Sequence, residues 1–303
     1  FQSIKIQNFK SFRDFEMNFE IVSGKDLHIF TAPNAGGKTN LFDAISWCLF
    51  DGDFNANGFS IPNTEAIFES KRKETDNCFV SVKIMAEDSG DILLFERYAL
   101  FDPKTGKKAN DGFNINITKE DGQTLLKDKA ELTQVIVEKY FPKSIQPYFF
   151  VDSTFLHRPY NGGHDRQEKQ KLKSLLYRIE SVRNEEQEET RIRIGDRATE
   201  IFIEALNWKT WRHHDKKHIK IDSNYSVSVL DEFGHVSEDA NAMEEIATVK
   251  LAILLALYEN LDTQSVICMD SPFVLLTETT REIIKHRFNE LSKSMQVVLL
   301  LKG

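Results

Sequence analysis

The chain has 303 residues, of which 41% are hydrophobic, enough for one large domain or two smaller ones with a real core. A formal net charge of −8 argues against nucleic-acid binding by bulk charge alone but leaves room for local basic patches. The cysteines Cys48, Cys78 and Cys268 are isolated, which predicts reduced thiols in a cytoplasmic protein. The sequence shows no signal pattern and no run of about 18 apolar residues, so we expect no membrane segment.

The first predicted elements are strands that lead to a Gly-rich turn. Ser3–Asn8 alternates apolar and polar residues, and Phe15–Phe19 alternates in the same way, so the two are predicted to form a hairpin. Leu27–Phe30 is predicted as a short buried strand that runs into the turn Ala32–Thr39. Apolar residues at helical spacing predict a helix over Asn40–Phe50.

This strand, turn and helix contain the residues of a P-loop, ending in Gly-Gly-Lys-Thr. In such a loop backbone N–H groups cradle phosphates, Lys38 reaches the β- and γ-phosphates, and Thr39 holds Mg²⁺. Ala32 replaces the first glycine of the pattern, which is tolerable if its φ stays negative. A chance turn is the alternative to this nucleotide site. The predicted nucleotide contacts in the loop are Asn34, Ala35, Gly36, Gly37, Lys38, Thr39 and Asn40.

The middle of the chain is predicted to be β-rich and then helical. A polar loop, Asp51–Pro62, and a charged stretch containing Lys71–Lys73 come first. Predicted strands follow at Phe79–Met85, Ile92–Phe101 and Phe113–Thr118, then a helix at Leu126–Tyr140 and a strand at Tyr148–Val151. Gln167–Asn207 is rich in charge with apolar stripes, which predicts two helices of an antiparallel coiled coil or, alternatively, a solvated helix pair.

The last third contains a second candidate half of the nucleotide site. Predicted elements are two strands in His218–Leu230, helices at Asn241–Leu261 and Glu278–Leu291, and strands at Ser265–Asp270 and Met295–Leu301. An apolar strand that ends in Asp270 follows the Walker B pattern, in which the carboxylate completes a Mg²⁺ shell. Ser271 follows, so no carboxylate accepts a proton there and hydrolysis should be slow. Asp152 and Glu278 are the replacement acids to test.

The motifs together resemble the head of SMC/SbcC/RecN proteins. The amino-terminal resemblance lies in Ile4-x-Ile6-x-Asn8-Phe9-Lys10-Ser11-Phe12, the P-loop and Asp43-Ala44-Ile45, and the carboxyl-terminal one in Asp270-Ser271-Pro272-Phe273. The stretch from Phe141-Pro142 to Asp152 is similar to DndD-type proteins. The resemblance implies an α/β, ABC-type P-loop NTPase head: a mixed sheet, two lobes (1–160 and 211–303) and a coiled-coil base (161–210).

In function, the resemblance implies a head that binds ATP and Mg²⁺ and dimerises head to head. It would bind double-stranded DNA in repair or anti-phage defence beside a nuclease or other effector. Lys10 and Arg13 lie where the family's basic residues approach phosphates, unless they form only an exposed strand end. The expected roles are catalytic for Lys38, Asp270 and Ser271, metal-binding for Thr39 and Asp270, and cofactor-binding for Asp152 beside the loop residues.

Several positions depart from the family pattern. The signature core, Ser-x-Gly-Glu, aligns with Ala242-Met243-Glu244-Glu245, and Thr277 replaces the Asp that usually follows Walker B. The helical segment is also short, which indicates either a short-coiled variant or, as we favour, coil bases joined near 161–166 and 185–190. These departures keep open an alternative function, a non-hydrolysing ATP-dependent clamp that holds a complex together. A small-molecule or nucleotide kinase is a third, weaker hypothesis.

A basic and aromatic cluster at 207–220 is the predicted DNA-binding surface. Lys and Arg side chains there would bind phosphates without reading sequence. The residues predicted to do so are Lys209, Arg212, Lys216, Lys217 and Lys220. A solvated turn packed on the lobe is the alternative, and His213, His214 and His218 offer only a weak metal hypothesis because no cysteine lies near them.

Overall fold

The computed structural model divides into two compact units. It describes residues 1–20, 22, 24–33, 37–50, 61–75, 77–88, 90–127, 149–152, 155–156, 173, 184–206, 217–236, 243–260 and 266–302. Unit 1 comprises Phe1–Ile21, Phe30–Lys143 and Lys302–Gly303, and unit 2 comprises Val22–Ile29 and Ser144–Leu301.

Unit 1 is built on an antiparallel six-stranded sheet in the order β2-β1-β4-β5-β6-β7. The strands are β1 (Ser3–Phe9), β2 (Phe12–Asn18), β4 (Cys78–Asp88), β5 (Asp91–Phe101), β6 (Lys108–Thr118) and β7 (Thr124–Lys127). Alternate side chains of β1, β4 and β5 are buried on one face, against the helix α1 (Lys38–Phe50). The hairpin, the three middle strands and the helix after the turn confirm the sequence predictions.

The helix α2 (Thr64–Arg72) lies where the sequence predicted only a charged stretch. Its N-cap is Asn63, whose side-chain oxygen accepts hydrogen bonds from the backbone N–H groups of Glu65 and Ala66. A first-turn acid and Lys71 and Arg72 in the last turn match the helix dipole. Capping and charge placement therefore form a helix that apolar periodicity alone does not reveal.

Three further predictions are not fully confirmed by the described residues. The helix predicted from Leu126 is wrong at its start, because Leu126 pairs with Asn116 in the β6–β7 hairpin; the rest of that helix lies outside the described residues. The strand β3 (Leu27–Ala32) exists, but it is not buried throughout, since Ile29 is 50% exposed. Most of the loop predicted at Asp51–Pro62 falls outside the described part.

Unit 2 contains a four-stranded sheet in the order β3-β12-β11-β8, with β3 continuing into unit 1. The other strands are β8 (Phe150–Val151), β11 (Val266–Asp270) and β12 (Gln296–Lys302), and β11 runs parallel to both of its neighbours. A separate hairpin joins β9 (His218–Ile221) to β10 (Val227–Leu230). The helices are α3 (Asn184–Leu206), α4 (Met243–Glu259) and α5 (Glu278–Leu291).

The helix α4 is buried over most of its length, and α3 packs against α4, α5 and β9. The predicted helices at Asn241–Leu261 and Glu278–Leu291 and the predicted strands of this unit are confirmed. The helix α3 covers the second half of the segment predicted as coiled coil, and the first half, apart from Lys173, lies outside the described residues. None of the helices in the described ranges is both long and apolar enough to cross a membrane.

All three cysteines are free and buried. Burial raises the pKa of Cys48 to about 12, and it raises the pKa values of Cys78 and Cys268 above the ordinary thiol value. Because the thiolate is the reactive form, burial and a raised pKa both protect these side chains.

We expect 5,5′-dithiobis(2-nitrobenzoic acid) at pH 8 to leave the three thiols of the folded chain unmodified over minutes. The same reagent should titrate all of them after denaturation in guanidinium, as absorbance at 412 nm would show. Rapid modification of Cys48 in the folded chain would contradict the packing of α1 on the sheet.

Candidate functional site

A buried lysine at the start of α1 binds the end of β3 and the residue after it. Lys38 begins α1 and is 8% exposed. Its Nζ donates to the carbonyl oxygens of Ala32, at 2.5 Å, and Pro33, at 2.9 Å. The ammonium thus reaches back across the turn to the end of β3. Asn34, Ala35 and Gly36, predicted to contact nucleotide, lie outside the described residues.

Gly37 adopts a conformation that favours glycine, with φ +88°. A Cβ built on Gly37 would lie 3.1 Å from Cζ of Phe12 and 3.2 Å from Oγ of Ser11. The start of α1 is therefore packed tightly on the turn between β1 and β2. Two residues after Gly37, Thr39 is exposed in the first turn of α1.

The β1–β2 turn also binds α1 through polar contacts. Nδ2 of Asn40 donates to Oγ of Ser11 at 2.7 Å, and Nζ of Lys10 forms an ion pair with Asp43 at 2.5 Å. The Lys10 and Asp43 side chains are only 13% and 17% exposed. Lys10, predicted to approach a phosphate, is therefore already paired, and a phosphate would have to displace Asp43 from it.

The backbone of this turn is itself anchored to the segment that leads into α2. Lys10 has a φ of +45°, and its N–H and C=O bond the Ile61 carbonyl (2.7 Å) and the Asn63 side chain (2.6 Å). Arg13, the other predicted phosphate-binding residue, pairs with Glu69 of α2 at 2.9 Å. The turn thus joins α1 to α2 within unit 1.

In unit 2, two carboxylates lie at the carboxyl ends of adjacent parallel strands, at the same edge of the sheet. Val151 of β8 is in register with Met269 of β11, and the next residues are Asp152 and Asp270. Neighbouring strands lie about 4.8 Å apart, and carboxylate oxygens are the ligands that Mg²⁺ prefers. This pair has the chemistry of a divalent-cation half-site, although no group of three or more candidate ligands occurs among the described residues.

Ser271 holds an unusual backbone conformation beside Asp270. Its φ is +54°, its N–H donates to the Leu300 carbonyl at 2.9 Å, and its Oγ donates to Oδ1 of Asp270 at 3.0 Å. Asp270 is 4% exposed. The hydroxyl therefore orients the buried carboxylate, and it cannot accept a proton as a carboxylate could. Glu278 lies exposed in the first turn of α5.

Glu244 and Glu245, in the segment that aligns with the signature core, both bind partners in unit 2. Oε1 of Glu244 accepts hydrogen bonds from the Thr277 N–H and the Thr280 hydroxyl, both at 3.0 Å. Glu245 forms an ion pair with Lys217 at 2.8 Å, in which both side chains are 10% exposed or less. Lys217 was predicted to bind DNA, but this buried ion pair removes it from the accessible surface.

Of the other predicted DNA-binding residues, Lys220 is exposed on β9. Lys209, Arg212 and Lys216 lie outside the described residues, as do His213 and His214 of the weak metal hypothesis. Lys250, which the sequence predictions did not include, is 4% exposed in α4 and bonds the Phe155 carbonyl. A lone lysine in the apolar run Ile246–Tyr258 was the available signal.

A model of the AAA domain family (AAA_23) matches residues 3–220, and the chain therefore belongs to this family. No curated protein matches the chain. An SMC head bound to the C-terminal winged-helix domain of ScpA is a structural match at 15% identity and a TM-score of 0.63, covering 99% of this chain and 89% of its own. An SMC head with an extended coiled coil, in a complex with the C-terminal domain of ScpA from Pyrococcus furiosus, matches at 14% identity and 0.60, covering 100% and 89%.

These likenesses show the fold of an ABC-type P-loop ATPase head of the SMC kind, as the sequence predicted. The more particular resemblance to DndD-type proteins is not among these findings and stays a prediction.

We expect Gly37→Ala to destabilise unit 1 more than Gly106→Ala. Both glycines have positive φ, so both substitutions should cost about 1–2 kcal/mol of backbone strain. Only at Gly37 does the new Cβ meet packed side chains, which should add about 1–3 kcal/mol. Urea unfolding followed by circular dichroism would measure both variants. Equal losses would show that Gly37 is not packed against Ser11 and Phe12.

Proposed function

We propose that this chain is an ATP-binding head that hydrolyses ATP slowly. The observation that carries the proposal is Lys38, a buried ammonium at the N-terminus of α1 that is bound to carbonyls of the preceding turn. A helix N-terminus, a glycine at φ +88° and a lysine held at the turn fit a chain of phosphates.

Two residues are proposed to bind Mg²⁺. Thr39 offers a hydroxyl in the first turn of α1, and Asp270 a buried carboxylate oriented by Ser271. When bound, Mg²⁺ would neutralise phosphate charge. Asp152, which directly follows β8, the neighbour of β11, is proposed as the second acid of unit 2, with Glu278 as the alternative. Lys10 and Arg13 are proposed to give up their ion pairs with Asp43 and Glu69 and to bind phosphates instead.

Single-turnover hydrolysis of labelled ATP, with and without duplex DNA, tests this function. We expect slow turnover that DNA stimulates. Lys38→Ala should abolish turnover and lower ATP affinity about 100-fold, since a charged partner of the phosphates is removed. Lys285→Ala, which breaks only an exposed intrahelical ion pair, is the matched control. Stoichiometric ATP that stays intact over hours would favour the alternative function, a non-hydrolysing clamp.

Ser271 decides between these two functions. Ser271→Glu introduces a general base beside Asp270 and should raise turnover about 100-fold. Ser271→Gln introduces a side chain of the same size as glutamate that cannot act as a general base, and it serves as the control. If both variants hydrolyse ATP at the same rate, the residue after Asp270 does not limit the reaction, and the slow-hydrolysis proposal loses its physical reason.

The wider role is proposed from the resemblance. Heads of this fold have been solved with a bound protein, the C-terminal domain of ScpA, which supports a protein partner for this chain as well. We infer a head-to-head dimer that acts in the cytoplasm on double-stranded DNA, in repair or DndD-like anti-phage defence, with a nuclease or other effector. Lys220 is the described member of the proposed DNA surface, and Lys209, Arg212 and Lys216 complete it.

A further inference from the structure

Lys250 is the anomalous residue of α4. The helix is apolar and buried along this stretch, and Lys250 itself is 4% exposed. Placing an ammonium in such surroundings is costly, because the charge loses its hydration. A methionine would fill a similar volume without that cost, so packing alone does not account for a lysine here.

The Lys250 ammonium binds one residue of the segment that follows β8. Its Nζ donates to the Phe155 carbonyl at 2.5 Å and lies 4.8 Å from the centre of the Phe155 ring. A carbonyl oxygen and the face of an aromatic ring both stabilise a buried cation. Lys250 therefore fixes both the backbone and the side chain of Phe155.

Phe155 in turn binds Asp152. The Phe155 N–H donates to Oδ1 of Asp152 at 2.9 Å and also lies 3.2 Å from the Asp152 carbonyl oxygen. The backbone of Phe155 thus makes two contacts: its N–H donates to Asp152, and its C=O accepts from Lys250. A carboxylate oxygen that accepts this bond has fewer orientations open to it.

We propose that Lys250 is a positioning residue that holds Asp152, through Phe155, beside Asp270 at the carboxyl edge of β8 and β11. The contacts run from α4 to Phe155 and then to Asp152, which follows the strand paired with β11. Its effect on ATP turnover rests on the proposed function. The positioning itself is a property of unit 2 that is measurable without nucleotide.

The test is Lys250→Met in the full chain. Loss of a residue that orients an acid should lower ATP turnover about tenfold and raise the Mg²⁺ concentration needed for turnover to a similar extent. Replacing the buried charge by an apolar side chain should leave the unfolding temperature unchanged or raise it. A residue that only supported the fold would give the opposite result, a lower unfolding temperature with unchanged Mg²⁺ dependence.

Two further variants sharpen the test. Thr248→Val removes another buried polar group of α4, and it should leave turnover unchanged. Among the described residues, the Thr248 hydroxyl donates to the Glu244 carbonyl of the same helix. Asp152→Asn should reproduce the loss, and the double variant with Lys250→Met should lose little more, because both act through one contact. Additive losses would overturn the proposed route through Phe155.

Hydrogen exchange without nucleotide separates this inference from the proposed function. In Lys250→Met the Phe155 amide should exchange about tenfold faster, because its bond to Asp152 is no longer supported. Unchanged exchange overturns the inference even if the wild-type chain is an active ATPase. Faster exchange in a chain that binds no ATP would uphold the positioning role while overturning the proposed function.

Discussion

The arrangement of unit 1 depends on the need to solvate one buried ammonium. Lys38 is 8% exposed, and a lysine removed from water must find oxygen partners inside the protein. The carbonyls of Ala32 and Pro33 provide them, which ties the end of β3 to the first residue of α1. Because the side chain is already ordered, little rotamer entropy would be lost if, as proposed, a phosphate replaced these carbonyls.

The same turn fixes the hairpin that precedes it. Gly37 has no Cβ to separate it from Ser11 and Phe12, so the β1–β2 turn lies directly on the start of α1. Asn40 and Asp43 then bind Ser11 and Lys10 along one side of the helix. Two cations predicted to bind phosphate, Lys10 and Arg13, are held by carboxylates at this point. Phosphate binding by either residue would therefore break an ion pair, which couples the site to α1 and α2.

In unit 2, charged side chains connect α4 to the elements around it. Glu244 caps the start of α5, Glu245 pairs with Lys217 before β9, and Lys250 binds Phe155 after β8. Buried ion pairs contribute little net stability compared with apolar packing. Their value here lies in fixing the start of α5, the segment before β9 and the segment after β8. We consider this positioning role the physical reason that polar residues occur in an otherwise apolar helix.

The sequence predicted the elements whose signals are local. Alternation revealed β1, β2, β4, β5 and β6, and helical spacing revealed α1, α4 and α5, because each buries one face or its whole surface. The helix α2 was missed since its signal is a cap, Asn63, and not a stripe of apolar residues. The start of the helix predicted from Leu126 was wrong because strand pairing with β6 decides that segment. The partners of Lys10, Lys217 and Lys250 lie far away in sequence, so no single stretch of sequence identifies these contacts.

The most direct test of the central claim is whether the turn at Lys38 binds phosphates. Inorganic tripolyphosphate and adenosine would each be tested, at equilibrium, for displacement of a fluorescent ATP analogue from the wild-type chain. The buried lysine, the helix N-terminus and the glycine turn predict that tripolyphosphate displaces the analogue and that adenosine does so only weakly. Displacement by adenosine but not by tripolyphosphate would show that any binding rests on the base, and the assignment of this turn as a phosphate site would be wrong.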